Sequence, residues 1–203
     1  MKAFKHAKEW ISDIKFGYNT LIIGSHDNCI YVYDFEESED GNDVTIKRKF
    51  APMNKHSSYI THMDVSQDSC FLQSTCGAYE LLFWDLNTGK QLTRGASQLK
   101  DELWNSWTCN LGWPVQGIYP KCTDGTFINA VDRSNTSLKN TIFKNDKKTP
   151  YLLAAGNDNG KVAVYNYPTT IKSSSFVEGK GHSSHVTNVK WTENDKYIVS
   201  VGG

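Results

Sequence analysis

The chain has 203 residues, and its 22 basic and 22 acidic side chains cancel to a formal charge of zero. That balance gives no global field for nucleic acid. No apolar run approaches the ~20 residues of a membrane-spanning helix, and the polar segment Met1 to Trp10 does not read as a secretory signal. A soluble intracellular chain is therefore expected, with neither membrane nor nucleic acid as a partner.

The first predicted element is Trp10 to Phe16, whose apolar and polar residues alternate as in an inner strand. Gly17-Tyr18-Asn19 turns the chain into Leu21 to Ser25, a nearly continuous apolar strand of the kind buried on both faces. Asp27-Asn28 then leads into Cys29 to Asp34, an acidic loop covers Glu36 to Asp43, and an outer strand runs from Val44 to Phe50. The plan repeats in Tyr59 to Val65, Phe71 to Thr75 and Glu80 to Asp85.

Residues 91 to 126 break the rhythm with Trp104, Trp107, Trp113, Pro114, Tyr119 and Pro120. These rings suit either a minicore that anchors a long outer strand and loop or a platform for a planar ligand. Strands resume at Phe127 to Asp132 and Tyr151 to Gly156, separated by a polar loop, Arg133 to Pro150. Lys139, Lys144, Lys147 and Lys148 make that loop locally basic. It reads as a solvated surface loop or as an electrostatic contact for an acidic partner.

The recurring unit runs from a histidine through two strands to a third that ends in aromatic-Asp or aromatic-Asn. His6 leads to Tyr33-Asp34, His56 to Trp84-Asp85, a third unit ends in Tyr165-Asn166, and Gly181-His182 opens a fourth. This is the pattern of WD40 blades, whose period is roughly 40 to 45 residues. The interval from Tyr33 to Trp84 exceeds that period and the interval from Trp84 to Tyr165 nearly doubles it, which marks insertions.

The fold expected is all-β: a partial WD40 β-propeller of antiparallel four-stranded blades, three complete and most of a fourth. The units fall roughly at 6–50, 56–111, 124–180 and 181–203. Val199 to Gly203 lies where a third strand of the fourth unit should start, so the chain reads as an incomplete propeller belonging to a longer protein.

In such blades a histidine, a hydroxyl, an aspartate and an aromatic residue join in one buried hydrogen-bond network, because each buried polar group needs a partner. His6, Ser25, Asp27 and Tyr33 fit all four roles; His56, Thr75 and Trp84 fit three, with Gly77 replacing the aspartate. The third unit keeps Asp158 and Tyr165 but has Gly156 at the expected hydroxyl position, and His182 starts the fourth network.

Catalytic chemistry is not indicated. Ser25-His26-Asp27 contains the residue types of a triad, yet consecutive strand residues point to opposite faces. Nor is there a phosphate-binding loop or a nucleophile elbow. The five cysteines, Cys29, Cys70, Cys76, Cys109 and Cys122, have neither zinc-ligand spacing nor an even count, and His182 and His185 lack companion ligands. Asn157-Asp158-Asn159-Gly160 reads as a hairpin turn, because no bidentate Glu follows as a calcium loop requires. No cofactor and no metal are expected.

The run Gly24 to Tyr33, with His56 to His62 and Gly77 to Asp85, resembles the echinoderm microtubule-associated protein-like family. Trp107 to Gly112 followed by Asp124 to Arg133 is the most specific segment of that resemblance, and Gly181 to Val189 is similar to the opening of the family's terminal blade. The resemblance spans essentially the whole chain and implies the C-terminal part of a tandem propeller, completed by the rest of the same chain. It also implies a non-enzymatic protein of the cytoplasm and cytoskeleton that binds tubulin or microtubules and scaffolds other proteins. The loop from Asn135 to Thr149 is longer than is usual in the family, and the N-terminal oligomerising and microtubule-targeting region is not part of this sequence. A WD40 adaptor for signalling or ubiquitin ligation, without microtubule affinity, is the alternative.

Overall fold

The computed structural model describes residues 5–37, 44–119, 127–135, 151–172 and 174–203. They fall into two compact units, Met1–Asn105 and Ser106–Gly203. Three sheets have four antiparallel strands each and a fourth has two, as in blades of a partial WD40 propeller.

The first unit holds two blades. Strands β1 (Ile11–Gly17), β2 (Thr20–Ser25), β3 (Ile30–Glu37) and β4 (Val44–Arg48) pair in sequence order. The second blade follows the same order with β5 (Ile60–Val65), β6 (Phe71–Cys76), β7 (Leu81–Asp85) and the two-residue β8 (Lys90–Gln91). Among the described residues after Gln91 no long outer strand follows. A turn of helix, α1 (Gly95–Gln98), follows instead, and Trp104 packs beside Phe83 with ring centroids 6.3 Å apart.

The core of this unit joins its two blades. Ile22, Ile30 and Val32 from the first meet Ile60, Met63, Leu72 and Trp84 from the second, all buried. The approach is close: a Cβ placed on Gly24 would lie 2.7 Å from Ile60 Cγ2. Polar bonds add to it. Met63 N donates to Asp13 Oδ2 at 2.8 Å, and Tyr18 N donates to Ser69 Oγ at 2.9 Å. Burial raises the Asp13 carboxyl pKa, partly offset by Lys15 beside it.

β1 is the first strand of its sheet and alternates as an inner strand does, with its apolar side chains uncovered. Ile11, Ile14 and Phe16 are exposed, as are Trp10 and Tyr18 at its ends, while Asp13 reaches the second blade. The alternation is present, but its apolar row faces outward.

The second unit contains the third blade, β9 (Ile128–Arg133), β10 (Tyr151–Asn157), β11 (Lys161–Tyr167) and β12 (Phe176–Lys180), and the hairpin β13 (Val186–Trp191) with β14 (Ile198–Gly202). Val199 to Gly202 thus lies in the second strand of the fourth sheet, one strand earlier than its sequence position suggests. Ala130, Ala154, Val186 and Val189 form the core between the two sheets. Gly156 repeats the role of Gly24: a Cβ there would lie 2.6 Å from Val186 Cγ1.

Asp132 fastens the hairpin. It accepts from Trp191 N at 2.7 Å and from Lys190 Nζ at 2.7 Å, while its carbonyl accepts from Trp191 Nε1 at 3.0 Å. Asn129 Nδ2 donates to Val186 O at 3.0 Å, and Asn135 N donates to Asp195 Oδ1 at 2.9 Å.

Trp107 is buried in this unit and packs on Tyr167, with ring centroids 5.9 Å apart. A 3₁₀ turn, Trp113–Ile118, lies against the loop after β11 through Thr169 N to Pro114 O and Gly117 N to Thr169 O, both 2.8 Å. Of the tryptophans in the insertion, Trp104 and Trp107 therefore act as packing anchors, whereas Trp113 is exposed. Pro120 lies outside the described residues.

The close approach at Gly156 gives a direct test. Gly156→Ala is expected to destabilise the chain by about 1–3 kcal/mol through overpacking against Val186. Gly179→Ala meets nothing nearer than Val162 O at 3.9 Å and should change stability by less than about 1 kcal/mol. Urea denaturation midpoints of the two variants check the contrast.

Candidate functional site

A compact buried polar cluster lies in the second blade. The segment before β5 supplies His56, β6 supplies Ser74 and β7 supplies Trp84. Ser74 Oγ lies 2.7 Å from His56 Nε2 and accepts from Trp84 Nε1 at 2.8 Å. All three residues are buried.

Ser74, not Thr75, is the hydroxyl of this link. Adjacent strand residues face opposite sides, so Thr75 Oγ1 turns away to Thr61 Oγ1 at 2.9 Å. The carboxylate role left open by Gly77 is taken by Glu80. Its Oε2 lies 3.4 Å from His56 Nδ1 and accepts from Cys76 Sγ at 3.2 Å. Ser57 holds the other side of the carboxylate, donating from N at 2.9 Å and from Oγ at 2.7 Å. Those Ser57 bonds bring the Glu80 carboxyl down to about 2, while burial pushes the His56 imidazole down and the Cys76 thiol up.

The fourth sheet repeats half of this arrangement. His182 Nε2 lies 2.8 Å from Ser200 Oγ, and the separation of 18 residues is the same as between His56 and Ser74.

The first blade divides its four expected residues into two pairs. His6 is exposed, not buried, and its Nδ1 meets Tyr33 Oη at 2.9 Å with the two rings stacked. Ser25 Oγ instead donates to Glu9 O at 3.4 Å and accepts from Asp27 N at 3.3 Å. Asp27 gathers Lys8 N at 2.8 Å, Cys29 N at 3.2 Å and Tyr31 Oη at 2.7 Å. Register explains the split. The position of Ser74 in β6 is held in β2 by Ile23, which offers Tyr33 no hydroxyl.

In the third blade the equivalent position is Ala155; Gly156 is the next residue, kept small by Val186. Tyr165 Oη donates to Ile118 O at 3.4 Å, and Asp158 Oδ1 accepts from Asn129 Nδ2 at 2.9 Å. The turn beside it is closed by Asn157 Oδ1, which accepts from Asn159 N at 3.0 Å and Lys161 N at 3.1 Å.

These side chains are committed to structure. The His26 ring stacks on Tyr59 at 4.7 Å, away from the bonds that Ser25 and Asp27 make. Ser74, Glu80 and Ser200 are the members that residue-by-residue matching overlooks. The recurring 18-residue interval finds the two serines; no local spacing points to Glu80. Lys139, Lys144, Lys147 and Lys148, the basic loop, lie outside the described residues.

Residues 1–203 match the family model described as "Echinoderm microtubule-associated protein second beta-propeller". The chain belongs to that family. Echinoderm microtubule-associated protein-like 4 of Homo sapiens is 40% identical over 183 residues, covering 90% of this chain and 17% of the relative. Echinoderm microtubule-associated protein-like 1 of Homo sapiens is 41% identical over 186 residues, covering 91% and 20%. The 77 kDa echinoderm microtubule-associated protein of Lytechinus variegatus is 39% identical over 186 residues, covering 90% and 25%. The chain thus spans a quarter or less of the length of these family members.

Ser74→Ala is expected to cost about 1–3 kcal/mol, because it leaves the buried Trp84 N–H and His56 Nε2 without their shared partner. Thr75→Ala should cost less, and guanidinium denaturation of both variants decides between the two hydroxyls.

Acid gives a second test in the first blade. Burial alone would raise the Asp27 carboxyl, but its hydrogen bonds with Lys8 N, Tyr31 Oη, Ser25 and Cys29 N outweigh burial and hold its pKa below the ordinary value. A depressed folded-state pKa contributes stability above the unfolded pKa and loses it as pH falls through the folded one. Below about pH 4, Asp27→Asn should therefore show a shallower fall of stability with pH than the wild type, measured by thermal melts across pH.

Proposed function

We propose that this chain is the partial propeller of a non-enzymatic WD40 scaffold of the cytoskeleton, one that associates with tubulin or microtubules and holds other proteins. The observation that carries this reading is the match of residues 1–203 to the second propeller of echinoderm microtubule-associated protein. Relatives about 40% identical carry microtubule association in their names. The histidine–hydroxyl links support the non-enzymatic part, since they tie strands and turns together.

Rows of exposed apolar residues support completion of the propeller by further blades of a longer chain. Ile11, Ile14 and Phe16 form one row, and Tyr197, Val199 and Val201 another. Strand faces with such rows are stable in a radial stack, where a neighbouring blade covers them. Among the described residues no helix is long and apolar enough to cross a membrane.

The contact surface proposed for tubulin is the basic loop with Lys139, Lys144, Lys147 and Lys148, whose charge suits an acidic peptide tail. The test is co-sedimentation of the parent protein and of this chain with microtubules whose acidic tails are intact or enzymatically removed. Tail-dependent pelleting that weakens with salt, and that falls when the four lysines become glutamine, is the expected result. Pelleting of the parent alone would place targeting elsewhere and leave this region as an adaptor. Unchanged binding and salt dependence in the lysine variant would rule out the loop.

A further inference from the structure

Three potential metal ligands converge in the second blade, His56 from the segment before β5, and Cys76 and Glu80 from the end of β6 and the turn that follows it. His56, Cys76 and Glu80 each offer one donor atom, and these atoms all lie within 4.8 Å of one another. His56 Nδ1 is buried without a hydrogen-bond partner, 3.4 Å from Glu80 Oε2, and Cys76 Sγ lies 3.2 Å from that same oxygen. We propose that His56 Nδ1, Cys76 Sγ and a Glu80 carboxylate oxygen bind one borderline divalent cation, with Zn²⁺ the best match.

The spacing suits the ion. With Zn–N and Zn–O near 2.0 Å and Zn–S near 2.3 Å, a tetrahedral site has edges of ~3.3 Å between N and O and ~3.5 Å between S and O. The two observed separations from Glu80 Oε2 lie within about 0.3 Å of those edges. Imidazole, thiolate and carboxylate together favour zinc over calcium or magnesium, which take oxygen ligands.

Outer partners are also in place. Ser74 Oγ meets His56 Nε2, and with Nε2 protonated it accepts from both His56 and Trp84, leaving the Nδ1 lone pair directed at the cation. Ser57 orients the Glu80 carboxylate through two bonds. Such support is a general feature of protein metal sites. Glu80 is partly exposed, so solvent reaches the fourth position.

Binding replaces the Cys76 thiol proton with the metal–sulfur bond and releases that proton to water. His56 stays neutral, Glu80 stays a carboxylate, and no electron moves. The thiolate offsets one of the two positive charges and the carboxylate the other, so the occupied site is neutral.

The test is titration of the full chain with Co²⁺ as a spectroscopic probe, followed by Zn²⁺ competition. A one-to-one near-ultraviolet thiolate-to-cobalt charge-transfer band, displaced by Zn²⁺, is expected. Cys76→Ser should abolish the band and Ser57→Ala should weaken affinity about 10-fold, with circular dichroism reporting that the variants remain folded. Absence of the band in the wild type overturns the site whether or not any variant folds. A band that survives unchanged in folded Cys76→Ser also overturns it, since it shows an adventitious ion on another cysteine.

Discussion

The distance at which one blade meets the first strand of the next governs the interior of each unit. Ile60 sits where a side chain on Gly24 would be, and Val186 does the same over Gly156. Both contacts place a β-branched residue directly against backbone, which closes the gap between sheets that neither sheet can fill alone. Once that spacing is set, polar groups on the facing strands have little access to water. Asp13 and Asp132 then serve as carboxylates accepting backbone N–H groups from the following blade. Removing such an acceptor would leave a buried donor unpaired, which costs more than a typical hydrogen bond contributes.

The repeat was legible because histidines and aromatic-acid pairs recur around strands of alternating polarity. Those signals depend on local spacing, so they placed most strands within a residue or two. They failed where a choice depended on which way one residue faces. Thr75 and Ser74 are equally plausible hydroxyls in the sequence, and only the register of β6 against β7 selects Ser74. The alternation of β1 was also visible, but whether its apolar row is covered depends on what packs against that face. Glu80 was missed for a related reason: its position in the turn before β7 becomes informative only when the fold brings it to His56.

The unequal blades follow from the chemistry of their aromatic residues. Indole carries its N–H on the ring edge near the strand, so Trp84 needs an acceptor on the adjacent strand and finds Ser74. A tyrosine hydroxyl stands at the far tip of its ring and reaches past that position. Tyr33 therefore meets His6, and Tyr165 meets the carbonyl of Ile118. With tyrosine in place, the inner hydroxyl has no donor to satisfy, and Ile23 or Ala155 can occupy its position without orphaning a polar group. Serine with tryptophan and aliphatic with tyrosine each leave the aromatic donor paired, whereas tryptophan beside an aliphatic residue would leave its buried N–H unmatched.

That pairing of the aromatic donors shapes where function can reside. A blade whose buried polar groups already satisfy one another has few spare to offer a substrate, and its rigidity suits it to carrying loops. Variation is least costly outside these links. The second blade differs because its carboxylate comes from Glu80 on a partly exposed turn, within reach of Cys76 as well as His56. A longer side chain supplied from a different position preserves the strand-tying role and adds a thiol to the group. It thereby gives this one blade a chemical capacity that an aspartate at position 77 would not require.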